Sequence, residues 1–150
     1  MHREHQTAFR RTSYRVRTPG GELLLRVDHQ APALGELLHE CGASGAALLT
    51  AFNPGGRRAP PLRNRQAQHR LRRELAALAL PVLPGCNEDP RGLWPVEPSL
   101  LVPGLQLQAA RTIAARYGQL AFLWSGCDAT PRLIETATAS AWFSRPRKPR

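Results

Sequence analysis

The sequence predicts one α+β domain in which three helices pack on a mixed sheet of five or six strands. The chain has 150 residues, of which 42% are hydrophobic. These values are typical of one globular domain that buries about two thirds of its unfolded surface. Short apolar runs alternate along the chain with segments of helical period, which favours the α+β class over all-helical and all-β folds. No internal repeat and no second domain is evident.

We expect the globular domain to span residues 12–138, between a basic tail at residues 1–11 and a second basic tail at residues 139–150. No apolar run approaches the ~20 residues that cross a bilayer. The first residues lead into Arg10 and Arg11 rather than into the apolar centre of a secretory signal. We therefore expect a cytoplasmic protein that does not enter the membrane.

The first elements are a hairpin and a helix. Residues 14–18 alternate in polarity, residues 19–21 are Pro-Gly-Gly, and residues 22–27 form a short apolar run, a pattern typical of a β-hairpin. A helix is predicted from Pro32 until the stop signal at Gly42. Its apolar stripe recurs at i, i+3, i+4 and i+7 and consists of Leu34, Leu37, Leu38 and Cys41.

The second half alternates strands and helices. Residues 46–52 are almost continuously apolar, which predicts a buried strand that ends at Asn53. After a loop, a helix is predicted over residues 64–78, with a stripe made of Ala67, Leu71, Leu75 and Leu78. The remaining predicted elements are a short strand at 82–83, a loop at 84–98, a strand at 99–102, a helix at 106–117, and strands at 119–124 and 132–136.

The motif search leaves open whether the protein is an enzyme. The chain contains no GxSxG, P-loop, GxGxxG or HExxH motif. Cys41, Cys86 and Cys127 are too far apart for a zinc ribbon and are odd in number, which argues against a disulfide framework. We predict no metal and no cofactor.

Connectivity predicts where a binding site lies. The strand that ends at Asn53 is followed by a helix that must run back along the sheet. The start of that helix, near Asn64, therefore lies at the same edge as Asn53. The same reasoning brings the loop 84–98, the start of the next strand at Ser99, and Gln119 to this edge. Ligands commonly bind at such edges of open sheets.

The polar residues at this edge suit a polar or anionic small molecule. Amides, a carboxylate and a hydroxyl offer hydrogen bonds, and guanidinium groups beside a helix N-terminus favour phosphate or carboxylate. The candidate ligand-binding residues are Asn53, Asn64, Glu97, Ser99, Gln119, Arg57 and Arg63.

Structural roles compete with this interpretation. Asn64 has the chemistry of a helix N-cap, and Asn53 before Pro54 that of a turn former. Glu97 could equally pair with Arg63 or Arg65. These alternatives stay open at the level of sequence.

The positive charge supports a second hypothesis. The net charge is +10, and residues 55–73 carry seven arginines and no acid, while residues 1–17 and 145–150 are also basic. Arginine clusters bind nucleic acid by displacing counterions from phosphates. The alternative function is therefore an interaction module whose Arg-rich arms bind nucleic acid, weakly and without sequence preference, or an acidic protein. A GC-rich genome would also produce this composition.

Several landmarks together resemble a bacterial domain-of-unknown-function family, number 3293. They are Thr50-Ala51-Phe52-Asn53-Pro54, Asn64, Pro84-Gly85, Trp94-Pro95 with Glu97-Pro98-Ser99, Tyr117-Gly118-Gln119 and Trp124. The resemblance spans about residues 14–136 and implies a small cytoplasmic domain without an assigned activity. Gly55-Gly56 stand where the family commonly has a serine after Asn-Pro.

Overall fold

The computed structural model describes residues 1–137, which form four α-helices and seven strands. The helices are α1 (Arg3–Arg11), α2 (Pro32–Cys41), α3 (Pro61–Ala76) and α4 (Leu107–Arg116). The strands are β1 (Ser13–Thr18), β2 (Gly21–Leu25), β3 (Gly45–Leu49), β4 (Leu83–Glu88), β5 (Glu97–Pro103), β6 (Ala121–Gly126) and β7 (Arg132–Glu135). The α+β class is confirmed. The second basic tail, 139–150, lies outside the described residues.

One sheet contains all seven strands in the order β2-β1-β4-β5-β3-β6-β7, and every described pairing is antiparallel. The prediction of a mixed sheet of five or six strands is therefore wrong. The strand directions were predicted correctly, since β3 and β4 both run opposite to β5. They form no parallel ladder because β5 lies between them.

Strand β4 extends to Glu88, although a loop was predicted from residue 84. This strand was not predicted because Pro84 and Gly85 are residues that usually interrupt a strand. Pro84 lies outside the stretch of β4 that pairs with β1, so its missing N–H costs no bond to that strand. A Cβ at position 85 would lie 2.4 Å from the carbonyl oxygen of Arg15. Glycine at this position therefore lets two central strands approach each other.

The hydrophobic core has two layers, one on each side of the sheet. Helix α2 covers one face through residues such as Leu34 and Leu38, while α3 and α4 cover the other through residues such as Leu75 and Ile113. Neighbouring residues of the central strands point into opposite layers. Because these strands are buried on both faces, their sequences are continuously apolar rather than alternating.

The segment 1–11, predicted as a tail, contains helix α1. Phe9 packs against the core layer of α2, and Arg10 pairs with Asp28 after the hairpin. The Tyr14 hydroxyl also donates a hydrogen bond to the carbonyl of Phe9 at 3.2 Å. None of the residues of α1 is fully buried. The helix was missed because its packing depends on one aromatic residue amid polar neighbours.

The predicted bounds of α3 and the predicted core position of Cys41 differ from the structure. Helix α3 begins three residues earlier than predicted and ends at Ala76, which leaves Leu78 beyond the helix and 44% exposed. Cys41 is the last residue of α2 and is exposed, although its spacing predicted a core position. Leu78 and Cys41 each continue the apolar spacing of their segment by one turn beyond the last leucine that packs in the core.

Replacement of Leu75 by alanine tests the layer under α3. Leu75 has no exposed surface. We expect Leu75→Ala to lower the free energy of unfolding by about 2–5 kcal/mol because it leaves a cavity in the core. Leu78→Ala is the matched control, with an expected change within about 0.5 kcal/mol. Urea titration measures both, and similar losses for the two variants would contradict the layer assignment.

Candidate functional site

A cavity of about 340 Å³ lies at the sheet edge where β3 and β4 end and where β1, β5 and β6 begin. This is the edge that connectivity predicted. Helix α1 supplies one wall, and the loop between β4 and β5 supplies another. The residues that line the cavity are Glu4, His5, Ala8, Phe9, Thr12, Tyr14, Thr50, Phe52, Asn53, Gly56, Asn87, Asp89, Arg91, Leu93, Trp94, Glu97, Gln119 and Leu120.

Helix α1 presents one face to the cavity. Residues 4, 5, 8 and 9 line it, followed by Thr12 directly after the helix. This spacing of three to four residues places side chains on the same side of a helix. His5 meets the loop after β3 at Gly56, where a Cβ would lie 2.6 Å from the His5 ring. Gly56 also has a φ of 72°, so glycine serves both the turn and the close approach of α1.

Asn53 and Asn64 form a buried amide pair behind the cavity. The Asn53 backbone N–H donates to Asn64 Oδ1 at 2.9 Å, and Asn64 Nδ2 donates to Asn53 Oδ1 at 2.8 Å. Asn53 Oδ1 also accepts the backbone N–H of Ala59 at 2.9 Å. Because backbone N–H groups can only donate, these bonds fix the orientation of both amides.

Asn64 is therefore not the N-cap of its helix. Pro60 holds that position, and Asn64 lies within the first helical turn, 5% exposed and absent from the cavity wall. Its amide fastens the end of β3 to α3. It supports the site through Asn53 rather than facing a ligand.

Glu97 is held by two donors at the start of β5. Its Oε1 accepts Asn53 Nδ2 at 2.6 Å and Trp94 Nε1 at 2.7 Å. Within residues 1–137, no hydrogen bond reaches Oε2 and no basic group forms a salt bridge with Glu97. The predicted alternative of a pair with Arg63 or Arg65 is thus wrong. Oε2 is not fully buried, and Glu97 is one of the residues that line the cavity.

Gln119 lines the cavity from the segment before β6. Its Nε2 donates to the carbonyl of Phe52 at 3.0 Å and to that of Tyr117 at 3.4 Å. These bonds tie the entry of β6 to the chain that leaves β3. Both bonds use its donor atom, so Oε1 is the part of the amide left for other partners.

The other predicted site residues lie away from the cavity. Ser99 is buried in β5 opposite Gly85, and its Oγ has no hydrogen-bond partner in the described residues. Arg57 and Arg63 are exposed and do not contribute to the wall. Ser99 lies two residues farther along β5 than Glu97, away from the edge of the sheet, and both arginines are exposed outside the cavity wall.

Sequence reasoning missed several lining residues. Tyr14 enters because β1 pairs with β4, and Asp89 and Arg91 enter because β4 extends to the cavity edge. The full length of β4 could not be predicted, because its proline and glycine are typical of a loop. The α1 residues carried one signal, the helical spacing of His5, Phe9 and Thr12.

Asp89 and Arg91 are paired with each other on the cavity wall. Asp89 accepts the backbone N–H groups of Arg91 and Leu93, and the Arg91 side chain adds a further bond. The backbone bond from Arg91, followed by that side chain, lowers the pKa of Asp89. Arg58 lies 5.2 Å from the centre of the Trp94 ring. Burial raises the pKa of the Tyr14 phenol, and the charge of Glu97 adds to the rise.

The profile of the protein family DUF3293, described as a protein of unknown function, matches residues 49–122. Over those residues the chain is similar to this family. The match confirms the resemblance over a shorter stretch than the sequence landmarks suggested. No curated protein and no solved structure matches the chain.

The DUF3293 segment contains most of the site but not all of it. It includes the buried amide pair, Trp94, Glu97 and Gln119, and it excludes α1 and the hairpin. Over residues 1–137, no group of three histidine, cysteine or acidic side chains is arranged to hold a metal ion. In the same part of the chain, no helix combines the length and apolarity needed to cross a bilayer.

The amide pair yields a stability prediction. Asn64→Asp places a carboxylate oxygen against Asn53 Oδ1, so two acceptors face each other where a hydrogen bond stood. We expect the free energy of unfolding to fall by about 1–3 kcal/mol at neutral pH. Gln66→Glu makes the same chemical change on the exposed face of α3, with an expected effect within about 0.5 kcal/mol. Denaturant titration compares them, and a neutral Asn64→Asp variant would contradict the buried pair.

Proposed function

We propose that this domain binds a polar small molecule in the cavity at the sheet edge. The observation that carries the proposal is the state of Glu97. One carboxylate oxygen is saturated by an amide and an indole, while the other has no protein partner in the described residues and is not fully buried, and Glu97 lines the cavity. A side chain held by donors on one side and open on the other is prepared for a ligand, because its position costs no further ordering.

The dimensions and lining of the cavity support this proposal. Its volume of about 340 Å³ is at the lower end of the range for ligand sites, which is about 300–1,000 Å³. Phe9, Phe52 and Leu120 provide apolar walls between the polar groups. Mostly apolar walls with a few oriented polar groups are the usual composition of a small-molecule site. The arginines that suggested an anionic ligand lie outside the cavity.

A fragment screen tests the proposal. A library of small polar compounds is screened by ligand-detected NMR against the full chain and against Ala8→Phe, which fills the cavity from α1. We expect hits whose affinity falls at least about tenfold in Ala8→Phe.

The matched control is Ala109→Phe, on the exposed face of α4 and away from the cavity. The hits should bind this variant with the affinity that they show for the unmodified chain. Hits that bind Ala8→Phe and the unmodified chain equally, or a library without hits, would refute binding in the cavity.

A second candidate function rests on the exposed face of α3. Five arginines of this helix are exposed, and none forms a salt bridge within residues 1–137: Arg63, Arg65, Arg70, Arg72 and Arg73. Arg10 and Arg15 in the first basic segment are paired with acids instead. The acid of α3, Glu74, is occupied by Arg116 and Tyr117. We propose that this face binds the phosphates of nucleic acid without sequence preference.

The two candidates are independent, because the α3 arginines do not line the cavity. Fluorescence anisotropy with a labelled duplex tests the second. About five phosphate contacts predict a loss of roughly 10²- to 10³-fold in affinity between about 50 and 200 mM salt. Arg72→Gln with Arg73→Gln should weaken binding and reduce the salt dependence by about two contacts.

The control is the double variant Arg17→Gln with Arg26→Gln, which removes two exposed arginines from the region of the hairpin. Its affinity should change less than that of the α3 variant. Equal effects of the two variants would show that overall charge, and not α3, causes binding. Preference for one sequence would contradict binding through phosphates alone.

A further inference from the structure

The hydroxyl groups of the cavity wall are already used as donors. Thr12 Oγ1 donates to the carbonyl of Ala8 at 2.7 Å, and Tyr14 donates to that of Phe9. Thr50 Oγ1 donates to the carbonyl of Pro98 at 2.8 Å. A hydroxyl has one proton, so these three groups have no strong donor left for a ligand.

The side-chain atoms left without a partner are mainly acceptors. Glu97 Oε2 has no partner within residues 1–137. Gln119 Nε2 donates to two carbonyls, which leaves Gln119 Oε1 as an acceptor. Glu4 adds a second carboxylate from α1 that forms no salt bridge in the described residues. The positive group on the wall, Arg91, is paired with Asp89. His5 is the remaining basic side chain.

An unpaired carboxylate in a cavity lined by aromatic rings favours a particular partner. Partial removal from water strengthens an interaction with a positive charge, and a charged hydrogen bond is about twice as strong as a neutral one. The rings of Phe9, Phe52 and Trp94 also suit a flat apolar body. An N–H group of an amidine, guanidinium or amine can donate to the open oxygen, Glu97 Oε2, while Asn53 and Trp94 hold Oε1.

We infer that the cavity binds an organic cation, an amidine, guanidine or amine on a compact apolar body, whose N–H groups donate to Glu97. This inference rests on the proposed function and names the ligand class for the same cavity. It reverses the charge expected of the ligand from the sequence, because the arginines behind that expectation face solvent outside the site.

Three isosteric probes test the inference on the full chain. Benzamidine, benzamide and benzoate share one ring and differ in the charge of the attached group. Isothermal titration should show benzamidine binding at least about tenfold more tightly than benzamide, with benzoate the weakest of the three. Ala8→Phe should abolish benzamidine binding. This ranking is measured on the unmodified protein, so it does not depend on whether a Glu97 variant folds.

Glu97→Gln then tests the residue. The amide oxygen can still accept from Asn53 and Trp94, so the fold is retained while the open position changes from acceptor to donor. We expect benzamidine affinity to fall at least about tenfold and benzamide affinity to stay within about twofold. Glu40→Gln, on the exposed side of α2, should leave both unchanged.

The outcomes separate this inference from the proposed function. If benzamide or benzoate binds as tightly as benzamidine and Ala8→Phe blocks it, the cavity is a ligand site but the cationic class is wrong. If none of the probes binds, the cationic class is also refuted, and the fragment screen alone decides the proposed function. Benzamidine binding that survives both Ala8→Phe and Glu97→Gln refutes the inference as well.

Discussion

The site depends on the backbone of Asn53. This residue lies in the loop after β3 and is in the left-handed region, with a φ of 49°, a conformation that asparagine tolerates better than most residues. The turn directs its amide between Asn64 and Glu97. Both asparagines are buried, and a buried amide without partners would cost more than the bonds contribute in net stability. The same bonds therefore close the polar interior and orient the carboxylate at the cavity.

The strand directions bring the ends of five strands to this edge of the sheet. Strands β3 and β4 finish here and β1, β5 and β6 start here, so five strands deliver polar residues to one place. The helices that return the chain, α3 and α4, both lie on one face of the sheet. The cavity consequently opens at the end of the sheet, where backbone groups that leave the ladder need other partners. Gln119 meets that need by bonding the carbonyl of Phe52.

Helix α1 turns an open edge into a cavity. It supplies His5, Ala8 and Phe9 to the wall, although it lies outside the segment that matches DUF3293. Few contacts hold this helix: Phe9 packs on the core, Arg10 pairs with Asp28, and Gln6 donates to Glu135, while none of its residues is fully buried. Elements held by few buried contacts open at low free energy.

The sequence by itself determined the α+β class, the hairpin, three of the four helices and the edge at which Asn53, Glu97 and Gln119 meet. Hydrophobic period and the direction of connections are local properties, so they can be read along the chain. Tertiary structure decided which strands are neighbours, that Asn64 bonds Asn53 instead of capping a helix, and that Arg57 and Arg63 face away. These features depend on contacts between distant segments. The close approach of Gly85 to Arg15 and the packing of Phe9 are decided by that geometry, and no local pattern encodes it.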